Sequence, residues 1–295
     1  MAKCGGILSQ NDHLNRLFPG QEGVVRMNLQ RIKITDSTSP QDKITTLDHR
    51  ITAIREDTVE PATVQVCVES TVTLTLNGQP ITTLKVTPAD LESFSLGFLI
   101  CEGLVPDPSC VTKVEIDPPF ISVTADTCCC EEQGYSLEVR SAGTGISRRQ
   151  GISGQPLGNG ITIDKKILFK GTRQVHEIAS VWRSTGGTHC TILVDAGGEI
   201  QSAAEDIGRH NSVDKAVGKA LLSGRNPGEF FMVCTGRLPA DMVAKAYRAG
   251  ISIVVSNNAP FSSGISLAER MNITLVGFAR PPRMSIYTYP ERIRL

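Results

Sequence analysis

Ionisable and hydrogen-bonding residues are densest in Glu205-Asp206-Ile207-Gly208-Arg209-His210-Asn211, with Asp214 and Lys215 just beyond. At the start of a helix, acids favour the positive end of the dipole, and Arg209 or His210 can reach an incoming anion. The competing reading makes Asp206 or Asn211 a helix cap and the rest a solvated surface. In Thr185-Gly186-Gly187-Thr188-His189, paired glycines permit backbone geometries that turn amides toward a small anion. A helix-ending glycine turn, the commoner arrangement, explains the same residues. Thr235-Gly236-Arg237 and the polar stretch 256–263 follow apolar runs. In Gly277-Phe278-Ala279-Arg280-Pro281-Pro282-Arg283, two arginines flank a Pro-Pro step of limited backbone freedom. That pattern suits bidentate grip on phosphate or pyrophosphate beside an aromatic ring that stacks on a base.

Metal chemistry is largely excluded, and no structural metal is expected. No Cys-x-x-Cys pair occurs, the five histidines are scattered, and Cys128, Cys129 and Cys130 are contiguous. In a strand their side chains would alternate faces and could not all bind one tetrahedral ion. An odd count of nine cysteines, three of them adjacent, suits a reducing cytoplasm rather than a disulfide framework.

The elements that must position these loops follow from pattern. Lys and Arg total 30 against 30 Asp and Glu, so no net field draws the 295-residue chain to nucleic acid or a membrane surface. No segment approaches the roughly 20 apolar residues of a membrane span, and the first 26 residues hold no signal-peptide core. A soluble, cytoplasmic protein of two modest α/β units is expected. Residues 1–58 are polar and without sustained period, which predicts a mobile arm. Residues 59–140 predict a small mixed α/β domain: alternating strands, an Asn77-Gly78 hairpin turn, and a helix opening at Thr87-Pro88-Ala89-Asp90. The Gly/Ser-rich stretch 141–160 predicts a flexible connection. Residues 161–295 alternate helices near 170–183, 211–222, 240–249 and 263–271 with strands near 189–194, 199–204, 230–235, 251–256 and 274–278. That order implies a layered α/β domain whose four loops converge at the carboxyl ends of parallel strands.

The strings TGGTHC, EDIGRHNSVDKAVGKAL, CTGRLPADMVAKAYRAGI and SNNAPFSSGISLAERMNITLVGFARPPRMSIYTYPERI, in that order, resemble the carboxyl-terminal domain of the FdhD/NarQ family. LTLNGQPITTLKVTPADLESFSLGFLICEGLV resembles its first domain, so the likeness spans about 60–295. The resemblance implies a homodimeric accessory sulfurtransferase for formate dehydrogenase maturation, with a cytidine deaminase-like second domain. It would take persulfide sulfur from a cysteine desulfurase and pass it to a guanine-dinucleotide molybdenum cofactor, molybdenum bis(molybdopterin guanine dinucleotide), bound as cargo. It places cofactor binding on Phe278, Ala279, Arg280, Pro281, Pro282 and Arg283; the clusters read from the residues themselves add Gly186, Gly187, His189, Asp206, Arg209, His210 and Arg237 as the residues shaping the pocket.

One motif departs. Where the family carries Cys-Gly-x-Cys-Gly, this chain has Gln150-Gly151-Ile152-Ser153-Gly154, and a hydroxyl cannot hold a persulfide. Cys190 is a catalytic candidate if His189 and glycine amides lower its thiol pKa, and a small buried strand residue otherwise. Cys128 to Cys130 swinging to the crevice is a second route. A paralogue that holds cofactor as a non-catalytic chaperone or scaffold is the third reading.

Overall fold

In the computed structural model, residues 32–126, 135–140, 143–148, 152 and 154–295 are described, the two strands at 135–140 and 143–148 by backbone alone. Gln150, Ser153 and Cys128 to Cys130 lie outside the described residues.

Alternation of apolar residues builds the first sheet. Strands β1 (Lys33–Asp36), β4 (Ser70–Leu76), β5 (Gln79–Val86), β6 (Val111–Asp117), β7 (Phe120–Ala125), β8 (Tyr135–Arg140) and β9 (Gly143–Arg148) order as β1-β6-β7-β4-β5-β9-β8. In β4, Val72, Leu74 and Leu76 face inward while the intervening threonines do not. Asn77 and Gly78 both take positive φ (49° and 77°), the geometry a two-residue hairpin requires. A separate hairpin pairs β2 (Thr46–Arg55) with β3 (Thr58–Cys67). Its register aligns Leu47 with Val66 and Ile51 with Ala62, and Leu47, Ile51, Val64 and Val66 remain exposed.

Two expectations change here. The predicted mobile arm 1–58 contains β1, parallel to β6, and β2 within its described part. These strands are largely solvent-facing, so their sequence carries no alternation to announce them. The predicted connection 141–160 contains β9, and its later part is pinned. Tyr247 Oη donates to Gln155 O (3.0 Å) and Asn272 Nδ2 to Leu157 O (2.7 Å). Two of the glycines there serve close packing: a Cβ on Gly154 would lie 2.1 Å from Tyr247 Oη, and one on Gly160 2.3 Å from Ser252 Oγ.

The second sheet runs β12 (Ile200–Asp206), β11 (His189–Val194), β13 (Phe231–Cys234), β14 (Ile253–Ser256), β15 (Thr274–Arg280) and β16 (Arg283–Ile286). β13, β14 and β15 are parallel, and the flanking pairs are antiparallel. Side chains divide between its faces. Ile192, Val194, Phe231, Val233, Ile253, Val255 and Val276 pack with Leu168 and Val175 of α2 (Lys165–Ile178). Leu193, Met232, Val254 and Leu275 join a core with α4 (Arg209–Leu222), α5 (Ala240–Arg248) and α6 (Ser262–Met271). This is the layered α/β unit expected, with α3 (Ser180–Thr185) between α2 and β11 and the short pair β10 (Ile163–Asp164) and β17 (Ile293–Arg294) closing its edge.

Helix α1 (Leu91–Cys101) joins the two sheets. All but one of its residues are buried, as expected for a helix apolar on every side and packed between layers. One continuous core therefore runs from the first sheet through α1 into α4 and α5. The α1–α4 crossing is a backbone contact: a Cβ on Gly97 would lie 1.8 Å from Asp214 O, and one on Gly218 1.9 Å from Ser93 O. Among the described residues no helix is long and apolar enough to cross a membrane. Because neither carbonyl can yield, Gly218→Ala is expected to cost about 3 kcal/mol, read as a fall in the urea midpoint at unchanged slope. An unchanged midpoint would contradict the contact.

Candidate functional site

Backbone constraints place the carboxyl ends of β13, β14 and β15 side by side. Ser256 Oγ donates to Gly236 O (2.6 Å), and Asn258 Nδ2 to Thr235 O (2.7 Å). Phe278 N–H reaches Asn258 O (3.1 Å), and Arg280 Nε reaches Asn257 O (3.2 Å). The loops after the three parallel strands thus form one rigid rim. Phe278 has φ 49°, an uncommon backbone for an aromatic residue, and its side chain is 47% exposed. Arg237, Arg280 and Arg283 all reach solvent around it. Among the described residues, no carboxylate lies within ion-pair distance of any of the three. Arg237 lies 6.0 Å over the ring of Phe261.

The dense polar string has two roles. Asp206 is fully buried, and its carboxylate accepts from Thr87 N (3.0 Å), Thr87 Oγ1 (2.9 Å), Gly208 N (2.8 Å) and Asn211 Nδ2 (2.9 Å) while pairing with Lys215 Nζ (2.7 Å). Lys215 also donates to Thr87 O (2.9 Å). Asp206 therefore does not line a pocket as expected; it ties the second sheet to Thr87 of the first unit. Thr87 for the same reason does not cap α1, which is preceded by Asp90 at φ 59°. A second buried set joins the same units: Lys245 Nζ meets Asp214 Oδ1 (2.7 Å) and Glu102 Oε1 (2.7 Å). Burial alone would lower the Lys245 pKa, but the two carboxylates outweigh it and hold the ammonium charged.

Arg209 and His210 open α4 on the crevice side. His210 Nε2 pairs with Asp241 Oδ2 (2.8 Å), and Gly236 passes so close that a Cβ there would lie 2.8 Å from Arg209 Cβ. His189 Nδ1 is 3.2 Å from Thr235 Oγ1. Burial first, then the charges of Arg209 and Arg237, push the His189 pKa down. His189, Arg209, His210 and Arg237 are thus brought together, as the sequence implied, around a positive field. Gly186 and Gly187 are not the free amide nest. Gly186 closes α3 with its N–H on Trp182 O (2.7 Å), and the Gly187 N–H bonds Thr185 Oγ1 (3.1 Å). The glycine-turn reading prevails because both amides are already engaged. Glu205 takes the place of a cap on α3, accepting from Val181 N (2.9 Å) and Trp182 N (2.8 Å).

Cys190 lies in β11, 1% exposed, and burial pushes its thiol up to about 12. Of the two readings of Cys190, the buried strand residue prevails over the thiolate beside His189, because desolvation dominates and Glu205 adds to it. A cleft of about 230 Å³ at the boundary between the units includes Cys190 and Asp90 in its wall, away from the arginine rim. Sequence reasoning passed over Cys67, half-buried at the end of β3, with Sγ 2.9 Å from Thr185 Oγ1. It is the one described cysteine that is not buried. His176 was also missed; its Nε2 lies 3.1 Å from Nδ2 of Asn257, within the polar stretch 256–263. No local pattern marks these residues, since their neighbours come from distant elements. Among the described residues no group of three or more His, Cys, Asp or Glu is placed to hold a metal ion.

Residues 67–294 match the model of the FdhD/NarQ family. The chain belongs to the FdhD/NarQ family. The sulfur carrier protein FdhD of Methanothermobacter thermautotrophicus is 35% identical over 222 residues, covering 75% of this chain and 88% of that protein. The sulfur carrier protein FdhD of Bacillus subtilis is 30% identical over 246 residues, covering 77% and 89%. A crystal structure from Desulfotalea psychrophila, described as a candidate formate dehydrogenase accessory protein, superposes with a TM-score of 0.70 at 28% identity. It is covered along 100% of its chain and 85% of this one. The match to the family model begins at Cys67, the last residue of β3.

In this FdhD/NarQ crevice His189 is expected to titrate below its ordinary value of 6.5 by NMR, and to move upward when pyrophosphate binds, as the anion offsets Arg209 and Arg237. The sign for stability follows: its contribution is present above pH 6.5 and is lost as pH falls through the lowered value. A His189 pKa that ignores pyrophosphate would separate it from the anion field.

Proposed function

We propose that this chain serves formate dehydrogenase maturation by binding a guanine-dinucleotide molybdenum cofactor in the arginine-rimmed crevice and supporting its sulfuration in the cytoplasm. The observation that carries this reading is the set of exposed arginines Arg237, Arg280 and Arg283 in the loops that follow β13 and β15, with Phe278 exposed among them and, among the described residues, no carboxylate partner for any of the three. Such arginines match a pyrophosphate, and the phenyl face matches a flat ring. Arg280 and Arg283 hold phosphates, Phe278 meets a ring of the ligand, and His189, Arg209 and Arg237 supply the field. Asp206 acts by fixing the start of α4.

Sulfur transfer needs a thiol. A thiolate of this chain attacks the outer sulfur of a desulfurase persulfide; that sulfur–sulfur bond breaks, and the donor leaves as its own thiolate. Cys67 is the described thiol open to such a partner, while Cys190 is enclosed. A cofactor-holding paralogue that moves no sulfur is the second reading, favoured by Gln150 and Ser153 in place of the family's cysteines. The homodimer and the dehydrogenase and desulfurase partners belong to the proposal on the strength of family membership.

Two measurements separate these readings. Arg283→Ala is expected to weaken guanosine diphosphate binding by roughly tenfold or more, the scale of one lost charge-assisted contact; unchanged affinity removes the pocket assignment. After incubation with a persulfide-loaded cysteine desulfurase, mass mapping is expected to find sulfane sulfur on Cys67 or within Cys128 to Cys130. Sulfur on no cysteine would leave the scaffold reading alone.

A further inference from the structure

We propose that Trp182, backed by His176, is the platform on which the purine base of a crevice-bound nucleoside diphosphate stacks. The inference rests on the crevice reading above and extends it to a second wall, built from α2 and α3 rather than from the strand-end loops.

The wall is traced through contacts. From the rim, Arg280 Nε donates to Asn257 O (3.2 Å), and the Asn257 side-chain amide meets His176 Nε2 (3.1 Å). The His176 and Trp182 rings stand 5.6 Å apart at 55°, a tilted aromatic pair. One histidine and one asparagine thus link an indole to an arginine that has no carboxylate partner among the described residues. A nucleotide has the matching layout, a flat base separated from its phosphates by a ribose.

Trp182 is 41% exposed, unusual for a ring that gains so much from burial. The segment carrying it is nonetheless fixed. The Trp182 amide is held by Glu205 Oε1 (2.8 Å), and Arg183 Nη1 binds the carbonyls of His176 (2.9 Å) and Glu177. A ring open to solvent on a locked backbone loses little freedom on binding a flat partner. His176 is set for the supporting role: burial, then the charge of Arg280, lowers its pKa, so a neutral ring accepts the Asn257 amide. Phe278, 47% exposed beyond Arg280, offers a second face, so a ligand with two ring systems joined by a pyrophosphate would engage both.

The full chain contains one tryptophan, so its indole emission reports this position alone. Guanosine diphosphate is expected to quench that emission saturably, with the midpoint found by calorimetry, while inorganic pyrophosphate binds without quenching. Trp182→Ala should weaken guanosine diphosphate about tenfold, within the range for loss of one base–aromatic stack, and leave pyrophosphate affinity unchanged. Trp182→Phe should keep most of the affinity, and it carries the test if the alanine variant does not fold. Guanosine diphosphate that binds by calorimetry with unchanged emission, and equally well to the Trp182 variants, overturns the platform while the arginine crevice stands. Failure of both guanosine diphosphate and pyrophosphate to bind overturns the two together.

Discussion

The buried pairing of Asp206 with Lys215 is the constraint on which the rest of the molecule depends. Both side chains are fully enclosed, and removing two charges from water carries a penalty of several kcal/mol per ion. The penalty is offset because the Asp206 carboxylate also accepts hydrogen bonds from Thr87, Gly208 and Asn211, and Lys215 finds Thr87 O as well. Thr87 belongs to the first unit, and Asp206 ends β12 of the second. The pairing therefore fixes one unit against the other at the point where α4 begins, and the close crossing at Gly97 and Gly218 joins the same two units further along α4.

That placement decides the electrostatics of the crevice. The chain as a whole is neutral, so an anion site must come from how charges are distributed. The acids nearest the crevice are already committed within the fold. Asp206 and Asp214 hold buried lysines, Glu205 receives the amides that open α3, and Asp241 pairs with His210. Among the described residues the arginines at the strand ends have no such partners, and their charge faces solvent beside two exposed aromatic rings. The same field acts on His189 and His176, whose pKa values are lowered first by burial and then by a neighbouring arginine.

Where a periodic pattern reported burial, the sequence was readable. Most strands and helices of the second unit fall within a few residues of their expected limits, because apolar residues there alternate between two faces of a covered sheet; the helix expected near 170–183 instead divides at Ala179 into α2 and α3. His189, Arg209, His210 and Arg237 do come together, but only Arg237 follows a parallel strand: β11 is antiparallel to both β12 and β13, so its start lies beside their carboxyl ends. Roles were harder to read than positions. Asp206 looks like a ligand-facing acid until Thr87, more than a hundred residues earlier, is seen to occupy its oxygens. Gly186 and Gly187 look like a nest until Trp182 O and Thr185 Oγ1 take their amides. The exposed strands β1 and β2 left no alternation, and Trp182, His176 and Cys67 owe their importance to neighbours that only the fold supplies.

The central claim is that the signature string holds the two units together and leaves ligand contact to the arginine rim. Urea unfolding and guanosine diphosphate calorimetry of Lys215→Met test it most directly. Loss of about 3–5 kcal/mol of stability is predicted, the cost of stranding the buried Asp206 carboxylate, with near wild-type affinity in the fraction that remains folded. Full stability together with lost nucleotide affinity would contradict the account and return Asp206 and Lys215 to the binding site.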